Sequence, residues 1–600
     1  MNSHTHYNSM INTSIFEDHP NPAWARRTWI SLDGTWEIEH NGHRGQIQVP
    51  YPIGSELSGV DYPDRGTFVY RRDFEIEGPK EEERLILHIG ACDYETTVFV
   101  NATRIGNHVG GYASFAFDIT DLVRAGTNQI ALLVKDSHSP FQVRGKQTFL
   151  RKPFYVWYRG IAGVWQSVWI ERVHRVHLER ARLVQDFDAE IVRGWAQASL
   201  PQPTKTSKRG AEARKDYSLT LEIIGPDRTT VELPPILADG DGHFDFQFSF
   251  SEIGAKFWSP ESPYLYRIQY HLSMNGDCVD TVESYFGLRS VRFDADGFEI
   301  NGTRVFLRMV LVQGYYPKGA YTPQNKKIME DDILSIKAMG YNGARIHEKV
   351  ESPYFHYLCD KLGLFTSFEM PSFYLPSRAA FGAYEQELKE LIERDAGHPS
   401  CIFRILFNET WGIWGIYGKR STTRKFVLRM IDLARGLDPS RPIVDNSGWE
   451  HLNTDIVDFH HYLRSATLAR SIYAGIAKKD ERILFGFSVW KVLAFYLFGH
   501  VSTKTRSLFL ERPHNDDARA QARSKILLSE YGGFGWYTSE HRGSIADIIE
   551  EYTRDIVASK LFCGYCYTQL YDVGDETNGL FTFEREPKID VDRLRSINAI

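Results

Sequence analysis

The stretch GYNGARIHEKVESPYFHYLCDKLGLFTSFEM, residues 340–370, reads as a strand, a helix and a second strand. GYNGARIH is short and largely apolar, Pro353–Leu362 carries a helical pattern, and LFTSFEM returns to a buried run. The alternation extends on both sides. Residues 326–339 form a helix candidate just before it, 384–395 precede CIFRILFNE, and 423–437 precede PIVDNS. IVDFHHY, ILFGFSV, KILLSEYGG and FCGYCYTQL add strands, and RVFLRMVLVQGY stands first. With one ambiguous segment allowed for, roughly eight strand units alternate with helices, which is the signature of a (β/α)8 TIM barrel. The spacing predicts this barrel over residues 293–600.

Upstream of residue 293 the period is that of strands. GTWEIEH, GTFVYRRDFEI, ERLILHIG, ETTVFVN and NQIALLVKD are short, partly alternating and separated by turn residues. Closed by VWQSVWIERV, they predict a β-sandwich over 1–175, with the first twenty residues as a loose arm. A second all-β unit over 176–292 has the strand spacing of an immunoglobulin-like sandwich. PQPTKTSKRGAEARKD, inside it, reads as an exposed hairpin loop. The chain is thus multidomain, all-β and then α/β. This agrees with 600 residues, a length that suggests about three to five domains.

Composition narrows the function classes. A formal charge of -7 gives no electrostatic reason to expect nucleic acid as a partner. No run reaches 18 apolar residues, so no membrane span is expected, and MNSHTHYNSMINTSIFEDHP lacks the apolar core of a secretory signal. The six cysteines make no disulfide framework, and Cys563 and Cys566 lack the second CxxC that a zinc site needs. The expectation is a cytoplasmic protein with reduced thiols and no metal or other cofactor. Aromatic residues make up 14% of the chain, which suits well-filled cores and sugar faces alike.

Ligands of such barrels meet the C-terminal ends of the strands. FRILFNETWG, residues 403–412, ends an apolar run in Asn408-Glu409, and KILLSEYGGFG, residues 525–535, ends one in Ser529-Glu530. Glu409 falls at about the fourth strand and Glu530 at the penultimate one. Two carboxylates on opposite strands suit glycoside hydrolysis, in which one protonates the leaving oxygen and the other attacks or activates water. The alternative is an ion-paired barrel rim, with Arg345, His347, Glu369 and His461 as partners. Tyr531 could hold a nearby carboxylate in either case.

Motifs along nearly the whole chain resemble glycoside hydrolase family 2, the group of β-galactosidases and β-glucuronidases. DGTWEI, YRRDFEI, HVGGYASFAFDIT and GVWQSVWIE resemble its jelly-roll sugar-binding domain. FWSPESPYLYRI and YFGLRSVRF resemble the end of its immunoglobulin-like domain. Residues 340–364 and ERDAGHPSCIFRILFNETWG resemble its two barrel signatures. The resemblance implies that Glu409 is the general acid/base and Glu530 the nucleophile of a retaining exo-β-glycosidase. It implies that Asn408 holds the sugar 2-hydroxyl, that His347 and Arg345 lie near the bound sugar, and that Tyr462 stands beside the nucleophile. Gln313 on the first strand, Asp136 from the first domain and Trp490 complete the implied substrate-binding set. His398 is expected to anchor its loop. The partner implied is a small oligosaccharide or glycoside, and relatives often form homo-oligomers.

The chain departs from the pattern in places. Arg404 stands where Trp is common and needs a carboxylate partner if buried. Ala102 follows Asn101 in a turn where Gly is usual. The ETNG stretch, residues 576–579, lacks the Lys of the glucuronidase Asn-x-Lys element. The missing Lys points to a β-D-galactoside substrate, with a β-uronide or a non-catalytic carbohydrate-binding role as alternatives. Arg404, Lys491 and Arg585 are the cations available if a uronide carboxylate has to be paired.

Overall fold

The computed structural model describes residues 14–200, 216–418, 420–449, 451–463, 465–477, 525–537 and 543–600. The hairpin-loop stretch at 201–215, the ILFGFSV segment, Trp490 and Lys491 lie outside the described residues.

Eight parallel strands form the barrel: β1 (Leu307–Val312), β2 (Gly343–Ile346), β3 (Phe365–Glu369), β4 (Cys401–Ile405), β5 (Ile443–Val444), β6 (Asp458–His461), β7 (Ile526–Gly532) and β8 (Phe562–Thr568). Their order in the sheet runs β5-β4-β3-β2-β1-β8-β7-β6. The eight described strands do not include ILFGFSV, which lies outside the described residues. Almost every strand residue is buried, as expected where helices cover the outside and side chains fill the inside.

The barrel is nearly closed. Across the β5/β6 seam side chains take over from a backbone ladder: Ser447 Oγ donates to Asp458 Oδ2 at 2.5 Å, and the Gly448 amide donates to Asp458 Oδ1 at 3.2 Å. His451 bridges the same seam between Asp445 (2.7 Å) and Asp458 (3.3 Å). Burial would lower the His451 pKa, but the two carboxylates raise it to about 10, so it is an imidazolium at neutral pH.

The connecting helices begin at side-chain caps. Asn325, Ser352, Ser377, Ser421 and Ser544 each accept a hydrogen bond from an amide in the first turn. Pro353 follows Ser352 at the first helical position, where its missing N–H costs nothing. A three-stranded sheet over 291–305 closes the N-terminal end of the barrel, packing Phe298 on Phe403 at 5.7 Å.

The two sandwiches precede this barrel. The first pairs a six-stranded with a four-stranded sheet around Trp36, Tyr70, Leu87 and Ile130. Its Asn101-Ala102 turn takes φ of 46° and 64°, so Ala102 carries the left-handed conformation that Gly would adopt without strain. The second sandwich encloses Leu221, Phe246, Ile268 and Phe286. The N-terminal segment corrects the loose-arm expectation from residue 14 onward. Phe16 is buried against Tyr285 and Tyr357, because an aromatic ring on a short helix finds an apolar slot between sandwich and barrel.

One excursion of the first sandwich reaches the barrel mouth. The amides of Arg144 and Gly145 donate to the Ser372 carbonyl at 3.0 Å each, and those of Tyr374 and Leu375 donate to the Pro140 carbonyl. Trp157 then packs edge-on against Trp411 at 5.1 Å. The pocket wall is therefore built by two domains.

Candidate active site

The two glutamates meet at the C-terminal mouth. Glu409 follows β4 with φ of 47°, and Thr410 after it has φ of 61°. Two consecutive left-handed non-glycine residues are a strained arrangement of the kind held at functional sites. The strain is contained by one backbone bond, from the Glu409 amide to the Ser447 carbonyl, and one to a side chain, from the Thr410 amide to Asn446 Oδ1, both 2.9 Å. Glu530 lies within β7 and faces inward, paired in register with His460 of β6.

Arg345 of β2 organises the floor. Its Nε and Nη2 grip Glu369 at 2.8 and 3.0 Å, its Nη1 donates to Glu530 Oε1 at 3.0 Å, and its Nη2 donates to Asn408 Oδ1 at 3.0 Å. Bidentate pairing fixes the plane of the guanidinium. Burial would raise the Glu369 pKa, but Arg345 and His347 hold it down at about 2. Because Arg345 occupies the Asn408 oxygen, the amide nitrogen of Asn408 is the group left to donate into the pocket. Tyr462 donates its hydroxyl to Glu530 Oε2. Burial and the neighbouring Glu530 push the tyrosine pKa well above its ordinary value, so the hydroxyl keeps the proton it donates.

His460 links the two catalytic candidates and was missed in the sequence. Its Nδ1 lies 2.8 Å from Glu409 Oε1, and its Nε2 lies 3.1 Å from Arg345 Nη1 and 3.4 Å from Glu530 Oε1. The ligating atoms of Glu409, His460 and Glu530 all fall within 4.8 Å of one another. That spacing would also admit a cation. However, Arg345 already neutralises Glu530, and the carboxylates hold His460 toward its protonated form against burial. A hydrogen-bonded carboxylate–imidazole–carboxylate network describes these groups better. On Glu409 burial acts upward, yet the His460 hydrogen bond and charge hold the carboxyl at about 2. Its second oxygen accepts from Trp411 Nε1 at 3.2 Å. Glu409 keeps 20% side-chain exposure against 6% for Glu530, so it is the carboxyl more open to an incoming group.

The remaining sequence candidates divide. His347 is buried with Nδ1 3.0 Å from Glu369, beside the pocket floor. Gln313 Nε2 donates to Gln569 Oε1 at 2.9 Å, and Gln569 Nε2 donates to Glu576 (3.2 Å) and Asn578 (3.0 Å). This amide chain closes the β8/β1 side. Tyr158 of the first sandwich donates to Glu576 Oε1 at 2.9 Å.

Asp136 is placed elsewhere. Its carboxylate accepts from Arg144 at 3.1 Å and from the His138 amide at 2.9 Å, inside the first domain. It holds the excursion that carries Tyr158, and the excursion itself, not Asp136, reaches the mouth. His461 and Tyr531 are further corrections. Strand alternation turns them outward, where His461 meets Tyr473 and Tyr531 meets Thr553. Arg404 finds Asp438 at 2.6 Å, and Arg585 stacks on Tyr571 and donates to the Tyr315 carbonyl. Both are held by protein groups, although Arg404 Nε and Nη1 and Arg585 Nε are buried without a hydrogen-bond partner among the described residues. His398 binds Asp360 at 2.7 Å and anchors its loop. Cys563 and Cys566 are buried thiols with raised pKa values, Cys563 up to about 12, which suits inert packing.

Comparison with known proteins places three family models on the chain. Residues 12–170 match the sugar binding domain of glycosyl hydrolases family 2, residues 176–289 match glycosyl hydrolases family 2, and residues 323–481 match that family's TIM barrel domain. A β-glucuronidase of Bacteroides fragilis is 25% identical over 449 residues, covering 70% of this chain and 61% of that protein. A β-galactosidase of Thermoanaerobacter pseudethanolicus is 27% identical over 381 residues, covering 62% of this chain and 47% of that one. The chain thus spans about half the length of the curated relatives it matches. The crystal structure of a β-galacturonidase from Eisenbergiella tayi bound to galacturonate superposes with a TM-score of 0.66 at 18% identity, covering 95% of this chain and 97% of that one. At that identity the likeness speaks for the fold.

Proposed function

The chain belongs to family 2 of the glycosyl hydrolases, and from that premise we propose that it is a retaining exo-β-glycosidase. The observation that carries the proposal is the Glu409–His460–Glu530 cluster, in which a carboxylate oxygen of each glutamate lies within 4.8 Å of the other. Retaining enzymes hold their carboxyl groups about 5–5.5 Å apart, whereas inverting ones leave room for a water between them. Glu530, aimed by Arg345 and Tyr462, attacks the anomeric carbon. Glu409 gives its proton to the leaving oxygen and then takes one from the water that hydrolyses the glycosyl-enzyme. Asn408 donates to the 2-hydroxyl, a bond that gains strength as charge develops on the ring.

For the glycone we propose a β-uronide in preference to the β-galactoside that the sequence suggested. A relative named as a β-glucuronidase, 25% identical over 449 residues, supports it. One observation favours the galactoside as the second reading: the amide wall of Gln313, Gln569 and Asn578, joined to the Glu576 carboxylate, offers neutral and anionic groups to an exocyclic substituent. The test compares kcat/KM on matched aryl β-glucuronide, β-galacturonide, β-galactoside and β-glucoside, with the first-formed anomer followed by NMR. The expected result is a β-anomer and a preference of at least about tenfold, 1.4 kcal/mol, for one uronide. An α-anomer rejects the retaining mechanism, and a tenfold neutral-sugar preference rejects the uronide.

The cluster also fixes a pH dependence. Free Glu409 would be ionised at neutral pH, so the proton it must donate is held jointly with His460, whose pKa lies above its ordinary 6.5. As pH rises through the raised imidazole value, that proton is lost and kcat/KM falls. In His460→Asn the basic limb is set by the carboxyl alone and moves to lower pH, with a loss of about 10²-fold at neutral pH. A basic limb unmoved in the variant would separate His460 from the acid step.

A further inference from the structure

A cation stands in this pocket that neither the barrel nor any sequence motif supplies. Lys146 follows Gly145 on the excursion from the first sandwich. Gly145 takes φ of 58°, and a Cβ there would lie 2.0 Å from the Glu348 carbonyl oxygen, so the loop sits directly on the barrel rim. The Tyr158 amide fixes the Lys146 carbonyl at 2.8 Å. The ammonium lies 6.0 Å from the Trp157 ring centroid and 5.8 Å from that of Tyr158. Trp157 packs on Trp411, the indole that donates to Glu409, while the Tyr158 hydroxyl donates to Glu576. Lys146 therefore stands between the candidate acid/base and the β8 wall.

Its charge is felt by Glu409, Glu348 and Glu576, yet among the described residues it makes no ion pair and no side-chain hydrogen bond. Among the described residues, Arg345 and Lys349 beside the mouth are committed. Arg345 spends its N–H groups on Glu369, Glu530, Asn408 and the Ser529 carbonyl. Lys349 spends its three on Glu351 and the carbonyls of Gly314 and Tyr321. Arg404 is turned to the N-terminal side of the barrel, where it meets Asp438 beside Arg441, and Arg585 is held by Asp332 at 3.4 Å and by Tyr571. A carboxylate entering the pocket has to be matched by a cation with donors to spare, since an unpaired buried charge is strongly disfavoured.

We propose that Lys146 receives the carboxylate of a uronic acid glycone, so that the first sandwich supplies the acid-recognising group of the active site. This rests on the uronide reading above. The test measures kcat/KM of wild type, Lys146→Met and Lys146→Arg on aryl β-glucuronide, β-galacturonide and their neutral counterparts. In Lys146→Met the ratio of uronide to neutral kcat/KM falls a hundredfold or more, while Lys146→Arg keeps it within about tenfold of wild type. Calorimetry in the Glu530→Gln background supplies a readout without turnover. There the free uronic acid binds at least tenfold tighter than its neutral parent, and adding Lys146→Met erases the difference. A wild-type uronide preference that survives in Lys146→Met rejects the Lys146 assignment alone. A wild type that prefers the neutral glycoside tenfold rejects the uronide reading and this assignment with it.

Discussion

Glu530→Gln is expected to lower kcat by about five orders of magnitude on every aryl β-glycoside, roughly 7 kcal/mol of transition-state stabilisation. The amide is isosteric and keeps an oxygen for Arg345 Nη1, so the fold persists and thermal melting moves by only a few degrees. What is lost is the nucleophile itself, and no leaving group can compensate for that. Glu409→Gln behaves differently. Substrates with strongly acidic phenol leaving groups need little protonation and keep their first step, while alkyl glycosides lose about 10³-fold. Kinetics across a leaving-group series measures both. An equal loss on all leaving groups in Glu409→Gln, with a graded loss in Glu530→Gln, would reverse the two roles.

The second large effect is expected at Arg345. Its guanidinium is 1% exposed and binds Glu369, which is fully buried. Removing one partner of a buried pair typically costs about 3–5 kcal/mol, because the other charge is left uncompensated. Arg345→Leu should therefore be strongly destabilised in denaturant titrations at neutral pH. In wild type the Glu369 carboxyl is held at about 2. Its contribution is complete above the ordinary carboxyl value near 4.5 and fades as pH falls toward 2. The double variant Arg345→Leu with Glu369→Leu should recover much of the stability and none of the activity, since Glu530 and Asn408 still lack their donor. Recovery of activity in the double variant would mean that Arg345 serves the fold alone.

The barrel was legible because each helix and strand differs in hydrophobic period, and Pro353 and Gly363 punctuate them. Glu409 and Glu530 were legible because both end apolar runs. His460 was not, since HH in IVDFHHY gives no sign of which imidazole faces inward. A bulge between Phe459 and His460 sets that phase, and its register partner Glu530 lies about seventy residues away in sequence. Counting inward positions back from Tyr462, two residues along on the same face, was the signal available. Lys146, Trp157 and Tyr158 were hidden for another reason. They belong to an irregular excursion with no period, and its docking depends on contacts with Ser372 and Trp411 in another domain. Asp136, singled out as the first-domain contribution, is the residue that ties this excursion down through Arg144.

The central claim is that Glu530 attacks and Glu409 transfers the proton. Azide rescue of Glu530→Ala and Glu409→Ala, with the products read by proton NMR, tests it most directly. With the nucleophile gone, azide enters from the vacated face, and Glu530→Ala should release an α-glycosyl azide. With the acid/base gone, azide opens an intact glycosyl-enzyme, and Glu409→Ala should release a β-glycosyl azide from a substrate with an activated leaving group. A β-azide from Glu530→Ala and an α-azide from Glu409→Ala would contradict the assignment of both residues.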